Sequence, residues 1–154
     1  MRVSFGVVDR AETWVAGAVL RSPALAVEGS RRRRVEEVWQ QMLATRMPGK
    51  PGTAYLDHAP ELNSYLTHIV GYQCTDLAQL RPGDVLARIP AGQFARFVRS
   101  GDHLPDTITD LWRSVWDAEA QGELVRAYTG DFEHYLDAQT VEVFVAITEA
   151  KGAE

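Results

Sequence analysis

The sequence is poor in cysteine and has no long apolar run. Cys74 is the only cysteine in the chain, which excludes an internal disulfide. The N-terminal stretch MRVSFGVVDRAETWVAG lacks the apolar segment of a signal peptide or of a membrane span. From these two absences we expect a protein of the reducing cytoplasm that does not enter a membrane.

Basic residues are fewer than acidic ones. The chain has 16 Lys and Arg against 21 Asp and Glu, which gives a formal net charge of -5. Because an acidic surface repels phosphate backbones, nucleic acid is not expected as a direct ligand. With 45% hydrophobic and 24% charged residues, the 154-residue chain has the composition of one globular domain spanning residues 1–154.

Arrangements typical of metal and nucleophile sites are also missing. The histidines show no i, i+4 pairing, and Cys74 has no second cysteine beside it, so we predict neither a metal site nor a cofactor. A glycine-rich phosphate loop and a nucleophile elbow are absent as well. The histidines are His58, His68, His103 and His134.

The sequence does contain a repeat with an offset of 73 residues. Apolar residues at helical spacing follow Ser30, and the same spacing returns after Leu104 and Pro105, so each segment predicts a helix with one buried face. Tyr55 and Tyr128 share the offset and are predicted to take matching strand positions. The matched helix positions are Val35 and Ile108, Val38 and Leu111, Trp39 and Trp112, Met42 and Val115, and Leu43 and Trp116.

Strand-like runs surround the two predicted helices in the same order. WVAGAVLRS precedes the first helix, and GTAYLDH and SYLTHIVGYQC follow it; GQFARFVRS precedes the second, and ELVRAYTG and TVEVFVAI follow it. The turn-rich segment TDLAQLRPGDVLARIPAG joins the two halves, about residues 1–74 and 85–150. We therefore predict an α+β fold in which duplicated βαββ units form an antiparallel sheet, with both helices on one face and a ligand groove between them.

The second half carries the motifs of a known family. IPAGQFARFVRSGDHLPDTITDLWRSVW, followed by DFEHYLDAQTVEVFVAI, closely resembles the GyrI-like small-molecule-binding domain, also called the AraC-type effector-binding domain. The resemblance extends over nearly the whole chain, and the first half matches more loosely. Ala146 stands where the family usually has proline, a departure that we expect to affect an edge strand rather than the pocket.

The resemblance implies a domain that binds lipophilic, often cationic, compounds in its groove. Many members are fused to a DNA-binding module and act as ligand-sensing regulators, whereas this chain begins at its first strand and resembles the stand-alone type. A regulatory role would then require a separate partner, or the protein would sequester its ligand. A homodimer remains an alternative.

The resemblance also assigns a role to Glu133. The glutamate of the family's Phe-Glu-x-Tyr segment lies at the floor of the pocket, where a bound organic cation would offset the cost of desolvating the carboxylate. Aromatic side chains nearby would add cation–π attraction. The predicted ligand-binding residues are Glu133, Tyr55, Trp39, Trp112 and Tyr135.

The residues alone favour plainer interpretations. Without the resemblance, Glu133 is better interpreted as a solvated carboxylate at a strand end, and helix tryptophans are more often core. Trp14 and Trp116 are interpreted as core or rim. Glu142 alternates with the valines of its strand, so it is predicted to face away from the helices as a structural or surface acid. The Arg31 to Arg34 run is interpreted as solvated surface, with an oligomer or partner contact as the alternative.

Two classes of function are consistent with these residues. Binding is favoured, with no catalytic residue assigned. The alternative is a hydrolase acting on strained cyclopropane-bearing natural products, as some stand-alone relatives do, with Glu133 as general base. A third interpretation, inhibition of a protein partner, depends on family analogy alone.

Overall fold

The computed structural model describes residues 2–23, 30–56 and 65–148. Both predicted helices are present, and each half has one strand more than predicted. The elements are β1 (Phe5–Arg10), β2 (Thr13–Pro23), α1 (Ser30–Leu43), β3 (Pro51–Leu56), β4 (Tyr65–Cys74), a 3₁₀ turn (Leu77–Gln79), β5 (Val85–Ile89), β6 (Gly92–Ser100), α2 (Leu104–Ala120), β7 (Asp131–Tyr135) and β8 (Thr140–Ala146). The predicted α+β architecture is confirmed, and β1 and β5 extend each βαββ unit to ββαββ.

The eight strands form one antiparallel sheet whose order is symmetric about its centre. The order is β1-β6-β8-β7-β3-β4-β2-β5, so exchanging the two halves reproduces the same sequence of neighbours. At the centre, β3 of the first half pairs with β7 of the second. At the edges, β1 pairs with β6 and β5 pairs with β2. Each half therefore contributes its first strand to the other half.

The third strand of the second half differs from the prediction. The prediction of a strand over residues 123–130 is wrong, because this segment forms only an isolated bridge from Arg126 to Ile147, and β7 begins at Asp131. Thr53 of β3 lies opposite Glu133 of β7.

This register also changes the predicted tyrosine pair. Tyr55 and Tyr135 each lie two residues beyond the central pair of Thr53 and Glu133, so they occupy equivalent places on their strands. Tyr128 lies outside β7 with a φ of 57°, and it is not the counterpart of Tyr55.

Both helices pack against the same face of the sheet. The apolar stripe of α2, which includes Leu111 and Val115, packs on β6 and β8. The stripe of α1 packs on β2 and β4. One row of paired residues crosses the helix-facing side of the sheet from the strands beneath α1 to the strands beneath α2. The row consists of Val70, Thr53, Glu133 and Val143.

The opposite face buries a second apolar cluster. Phe132 and Phe144 stack there with ring centroids 4.7 Å apart, and such a pair contributes about 0.5–1.5 kcal/mol beyond the burial of its area. The guanidinium of Arg10 lies over both rings, so an edge strand helps to cover this face. Glu142 accepts a hydrogen bond from Arg96 on the same side, which agrees with the prediction that it faces away from the helices.

Strand β8 lies inside the sheet. It pairs with β6 on one side and with β7 on the other, so the expectation that Ala146 belongs to an edge strand is wrong. The Ala146 N–H donates to Asp131 Oδ1 at 2.9 Å. Proline has no N–H and could not make this contact. The alanine at position 146 therefore provides a hydrogen bond to Asp131, whose side chain lies on the helix-facing side of the sheet.

Strands β2 and β4 approach closely at a pair of glycines. Gly17 lies directly opposite Gly71. A Cβ added to Gly17 would lie 2.1 Å from the carbonyl oxygen of Val70, and one added to Gly71 would lie 2.1 Å from that of Ala16. Both clashes involve backbone atoms, so this crossing point accepts only residues without a side chain.

Candidate functional site

Glu133 is completely buried in the centre of the sheet. It lies in the middle of β7, between Thr53 of β3 and Val143 of β8, and its exposed fraction is 0%. Because side chains alternate along a strand, Glu133 and Tyr135 face the helices, whereas His134 faces the other side. The interpretation of Glu133 as a solvated strand-end carboxylate is therefore wrong.

Four neutral donors hold the carboxylate. Oε1 accepts hydrogen bonds from Thr53 Oγ1 at 2.8 Å and from Tyr135 Oη at 2.5 Å. Oε2 accepts from Tyr55 Oη at 2.8 Å and from Trp112 Nε1 at 2.6 Å. An ionised carboxylate has about four acceptor positions, so this arrangement uses all of them.

The structure brings the five predicted residues together. Three of them, Tyr55, Trp112 and Tyr135, donate directly to Glu133. Trp39 of α1 does not bond to the acid, but its ring meets that of Tyr135 edge-on at 5.2 Å. Tyr55 and Trp112 are also edge-on, with centroids 5.1 Å apart. Both helices and two central strands thus contribute to one aromatic cluster around the carboxylate.

Two residues of the cluster were missing from the prediction. Thr53 donates to Glu133, and His68 of β4 stacks on Tyr55 with ring centroids 4.3 Å apart and an interplanar angle of 16°. Thr53 belongs to the cluster because it lies directly opposite Glu133, a pairing of distant strands that has no local sequence signal. His68 has no sequence signal beyond its alternation with Val70 in β4. The remaining tryptophans, Trp14 and Trp116, are partly buried beside the α1 and α2 cores.

Burial and the neighbouring acid keep the tyrosine donors protonated. Burial, together with the negative charge of Glu133 and the hydrogen bonds to it, raises the pKa of Tyr55 and Tyr135 well above the usual value near 10. Both phenols therefore remain protonated donors at neutral pH. Burial lowers the pKa of His68 to about 3, so its ring is neutral under the same conditions.

A second buried acid on this face already has a cation. Asp131 is fully buried, and its Oδ2 lies 2.6 Å from Nη2 of Arg126. The same guanidinium lies over the Trp112 ring at 5.8 Å. No Lys, Arg or His side chain of the described residues forms an ion pair with Glu133. Within the described residues, Glu133 therefore has four hydrogen-bond donors but no basic partner.

The other features singled out in the sequence lie away from this cluster. Arg33 and Arg34 are exposed on α1, while the side chains of Arg31 and Arg32 and all of His58 lie outside the described part of the chain. Within that part, no three His, Cys, Asp or Glu side chains are placed to share a metal ion. None of the described helices is long and apolar enough to cross a membrane.

An antiparallel sheet with two helices on one face, and a buried acid among aromatic donors beneath them, is the architecture expected of a GyrI-like effector-binding domain. The family model for Cass2, the integron-associated effector binding protein, matches residues 7–147. The chain belongs to this family. The predicted resemblance is confirmed, and the protein is an effector-binding domain for small molecules.

Solved structures show the same fold. The integron cassette protein VCH_CASS2 of Vibrio cholerae is 22% identical, with a TM-score of 0.79 over 96% of this chain and 100% of that one. SAV2435, in a structure with tetraphenylphosphonium, is 12% identical with a TM-score of 0.68 over 94% of both chains. A putative transcription regulation protein of Staphylococcus aureus MU50 is 11% identical, with a TM-score of 0.70 over 96% of this chain and 99% of that one. No curated protein matches the chain.

Proposed function

We propose that the protein binds a lipophilic organic cation between its helices, with Glu133 as the counter-charge and Trp39, Tyr55, Trp112 and Tyr135 as the aromatic surroundings. The observation that carries the proposal is that Glu133 is fully buried and that no basic side chain of the described residues pairs with it. Its four hydrogen bonds come from neutral groups, which satisfy the oxygen lone pairs but leave a full negative charge in place. At an effective dielectric constant of 20, such a charge attracts a cation 4 Å away by about 4 kcal/mol.

The occupied acceptor positions favour one kind of cation. A primary ammonium or a guanidinium would have to displace a tyrosine, threonine or tryptophan donor in order to hydrogen-bond directly to Glu133. A cation without N–H groups, such as a phosphonium or a quaternary ammonium, needs only proximity and an aromatic face, which is worth about 0.5–2 kcal/mol. A charge spread over apolar groups is also less costly to remove from water. The phosphonium bound in the SAV2435 structure, a protein of the same fold, has this chemistry.

General-base catalysis has less support in this geometry. A base must accept a proton from water, yet both Glu133 oxygens already accept two hydrogen bonds each. His68 is neutral and stacks on Tyr55, but no described hydrogen bond joins it to the carboxylate. We therefore favour binding over the alternative of hydrolysis at a cyclopropane ring.

The experiment compares two ions of the same shape and opposite charge. Tetraphenylphosphonium should bind the purified protein and quench its tryptophan fluorescence, whereas tetraphenylborate should not. Glu133→Gln should weaken phosphonium binding by about 10- to 150-fold, the equivalent of about 1.5–3 kcal/mol, because it removes the charge responsible for the attraction of about 4 kcal/mol. Isothermal titration calorimetry gives the affinities, and circular dichroism verifies that the variant folds.

The matched control is Glu142→Gln. Glu142 is also buried, but it lies on the opposite face in an ion pair with Arg96, so its neutralisation should leave phosphonium affinity unchanged. Equal affinity of the wild type and the folded Glu133→Gln variant would refute the role of Glu133 as counter-charge. Equal binding of the borate would refute selection for positive charge.

A further inference from the structure

Two buried histidines have a ring nitrogen without a hydrogen-bond partner in the described structure. They are His68, with an exposed fraction of 5%, and His134, with 8%; in each it is Nε2 that lacks a partner. A buried polar atom left unsatisfied costs about 1–3 kcal/mol, so each position calls for a physical explanation. The two differ in the face of the sheet that they occupy.

His68 lies on the face of Glu133. It pairs with Tyr55 across β3 and β4, and its ring lies flat against the Tyr55 ring at 4.3 Å. Tyr55 in turn donates to Glu133, so His68 stands one aromatic ring away from the buried charge. His134 contacts Phe132 and Phe144 on the opposite face and has no part in this cluster.

The polar groups around Glu133 are otherwise engaged. The hydroxyls of Thr53, Tyr55 and Tyr135 and the indole N–H of Trp112 all donate to the carboxylate. A ligand with a polar substituent would have to break one of these bonds, or it would use a buried atom beside these groups that has no partner, which is His68 Nε2 or Arg126 Nε. Arg126 is already paired with Asp131, so we consider His68. A neutral imidazole does not repel a bound cation, and its ring nitrogens provide one donor and one acceptor.

We propose that His68 is a specificity-determining residue that hydrogen-bonds a polar substituent of the bound cation through Nε2. The natural ligand is then not a purely hydrocarbon cation. It is a lipophilic cation with a hydroxyl or similar neutral group on the side that faces β4. This inference depends on the proposed function, because it assigns a second contact in the same binding site.

The test compares two phosphonium ions of nearly equal size. One phenyl ring of tetraphenylphosphonium carries either a hydroxymethyl or an ethyl group, each at the meta or the para position. Affinities are measured by calorimetry for the wild type and for His68→Phe, and the result is the ratio of hydroxymethyl to ethyl affinity at the better position. His68→Phe should lower this ratio by about 2- to 12-fold, the effect of one net hydrogen bond. Because the ratio compares two ligands on the same variant, a general loss of affinity for phosphonium ions cancels from it.

Two further variants separate recognition from structure. His68→Gln retains an amide nitrogen near the position of Nε2 and should restore part of the preference for hydroxymethyl. His134→Phe removes the other unpartnered histidine, on the opposite face, and should leave the ratio unchanged. His68→Phe should melt at the wild-type temperature or above it, because it removes an unsatisfied buried atom.

The outcomes distinguish this inference from the proposed function. An unchanged ratio in His68→Phe, or an equal drop in His134→Phe, overturns the role of His68 while leaving the counter-charge role of Glu133 intact. Phosphonium binding that is absent, or independent of Glu133, overturns the proposed function, and this inference falls with it. A lower ratio of hydroxymethyl to ethyl affinity in His68→Phe, with partial recovery in His68→Gln, supports a direct hydrogen bond between residue 68 and the ligand.

Discussion

At the scale of single residues, the structure explains how a carboxylate remains inside an apolar cluster. Removing an ion from water costs several kcal/mol even after the protein relaxes. Each hydrogen bond to a charged group returns about 1.5–3 kcal/mol, and Glu133 has four of them. The donors therefore offset much of the desolvation cost in the empty protein. We therefore expect the protein to fold without a bound cation.

Removing one donor tests this balance. Tyr55→Phe retains the ring that stacks on His68 and deletes only the hydroxyl that donates to Oε2. We expect the free energy of unfolding at pH 7 to fall by about 1.5–3 kcal/mol, measured by urea denaturation. Tyr128→Phe is the control, because its hydroxyl also donates to a glutamate, Glu119, but at an exposed position. A loss no greater in Tyr55→Phe than in Tyr128→Phe contradicts the donor role.

The same variant has a distinct dependence on pH. The pKa of Tyr55 is raised in the folded protein, whereas in the unfolded chain it lies near 10. The stabilising contribution is therefore complete below pH 10 and is lost as the pH rises toward the folded value, because only the unfolded chain releases the proton. The wild type should lose about 1.4 kcal/mol per pH unit for this tyrosine above pH 10, and Tyr55→Phe should lose correspondingly less.

At the scale of secondary structure, the sequence predicted the elements whose apolar residues follow a regular period. Both helices and the strands β2, β4, β6 and β8 have such patterns, and they were found. Strand β7 was misplaced because its helix-facing residues are Asp131 and Glu133, so the usual alternation of apolar and polar residues is reversed there. Strands β1 and β5 are short edge strands whose partners lie in the other half, information that no local pattern contains.

The candidate site was predictable to the extent that it has motifs. Glu133 and Tyr135 belong to the Phe-Glu-x-Tyr segment, and the repeat placed Trp39 and Trp112 at equivalent positions on two helices. Thr53 and His68 could not be assigned to the site from the sequence. Thr53 belongs to it because it pairs with β7, and His68 because it pairs with β3, and the register between distant strands is set by the whole sheet. The ion pair between Asp131 and Arg126 was likewise not predictable from the sequence, because the arginine lies in the segment that was wrongly predicted as a strand.

The glycine pair provides the test at this scale. Gly71→Ala would place a Cβ about 2.1 Å from the Ala16 carbonyl oxygen, so β2 and β4 cannot keep their spacing. We expect destabilisation of about 3 kcal/mol or more, at or beyond the upper end of typical overpacking. Gly6→Ala in edge strand β1 is the matched control, because an added Cβ there meets nothing within 4 Å. Thermal melts that shift equally in both variants would show that the close approach is not required.

At the scale of the whole molecule, the two halves depend on each other. Each half lends its first strand to the sheet of the other half, and β3 and β7 pair at the centre. The site is divided in the same way, since Thr53 and Tyr55 come from the first half, while Trp112 and Tyr135 come from the second with Glu133. Neither half alone contains a satisfied Glu133 or a complete set of strand neighbours.

This interdependence predicts the behaviour of fragments. Residues 1–82 and 83–154, prepared separately, should each lack a cooperative unfolding transition. The second fragment would retain Glu133 with two of its four donors and without β3 beside β7, and an incompletely paired buried charge costs about 3–5 kcal/mol, a large fraction of the stability of a domain. Mixing the fragments should restore the native circular dichroism spectrum and phosphonium binding. The control is a chain cut at the same bond after folding, which should remain assembled because the connection lies outside the strand pairs. Cooperative unfolding of either fragment alone would show that the halves are independent units.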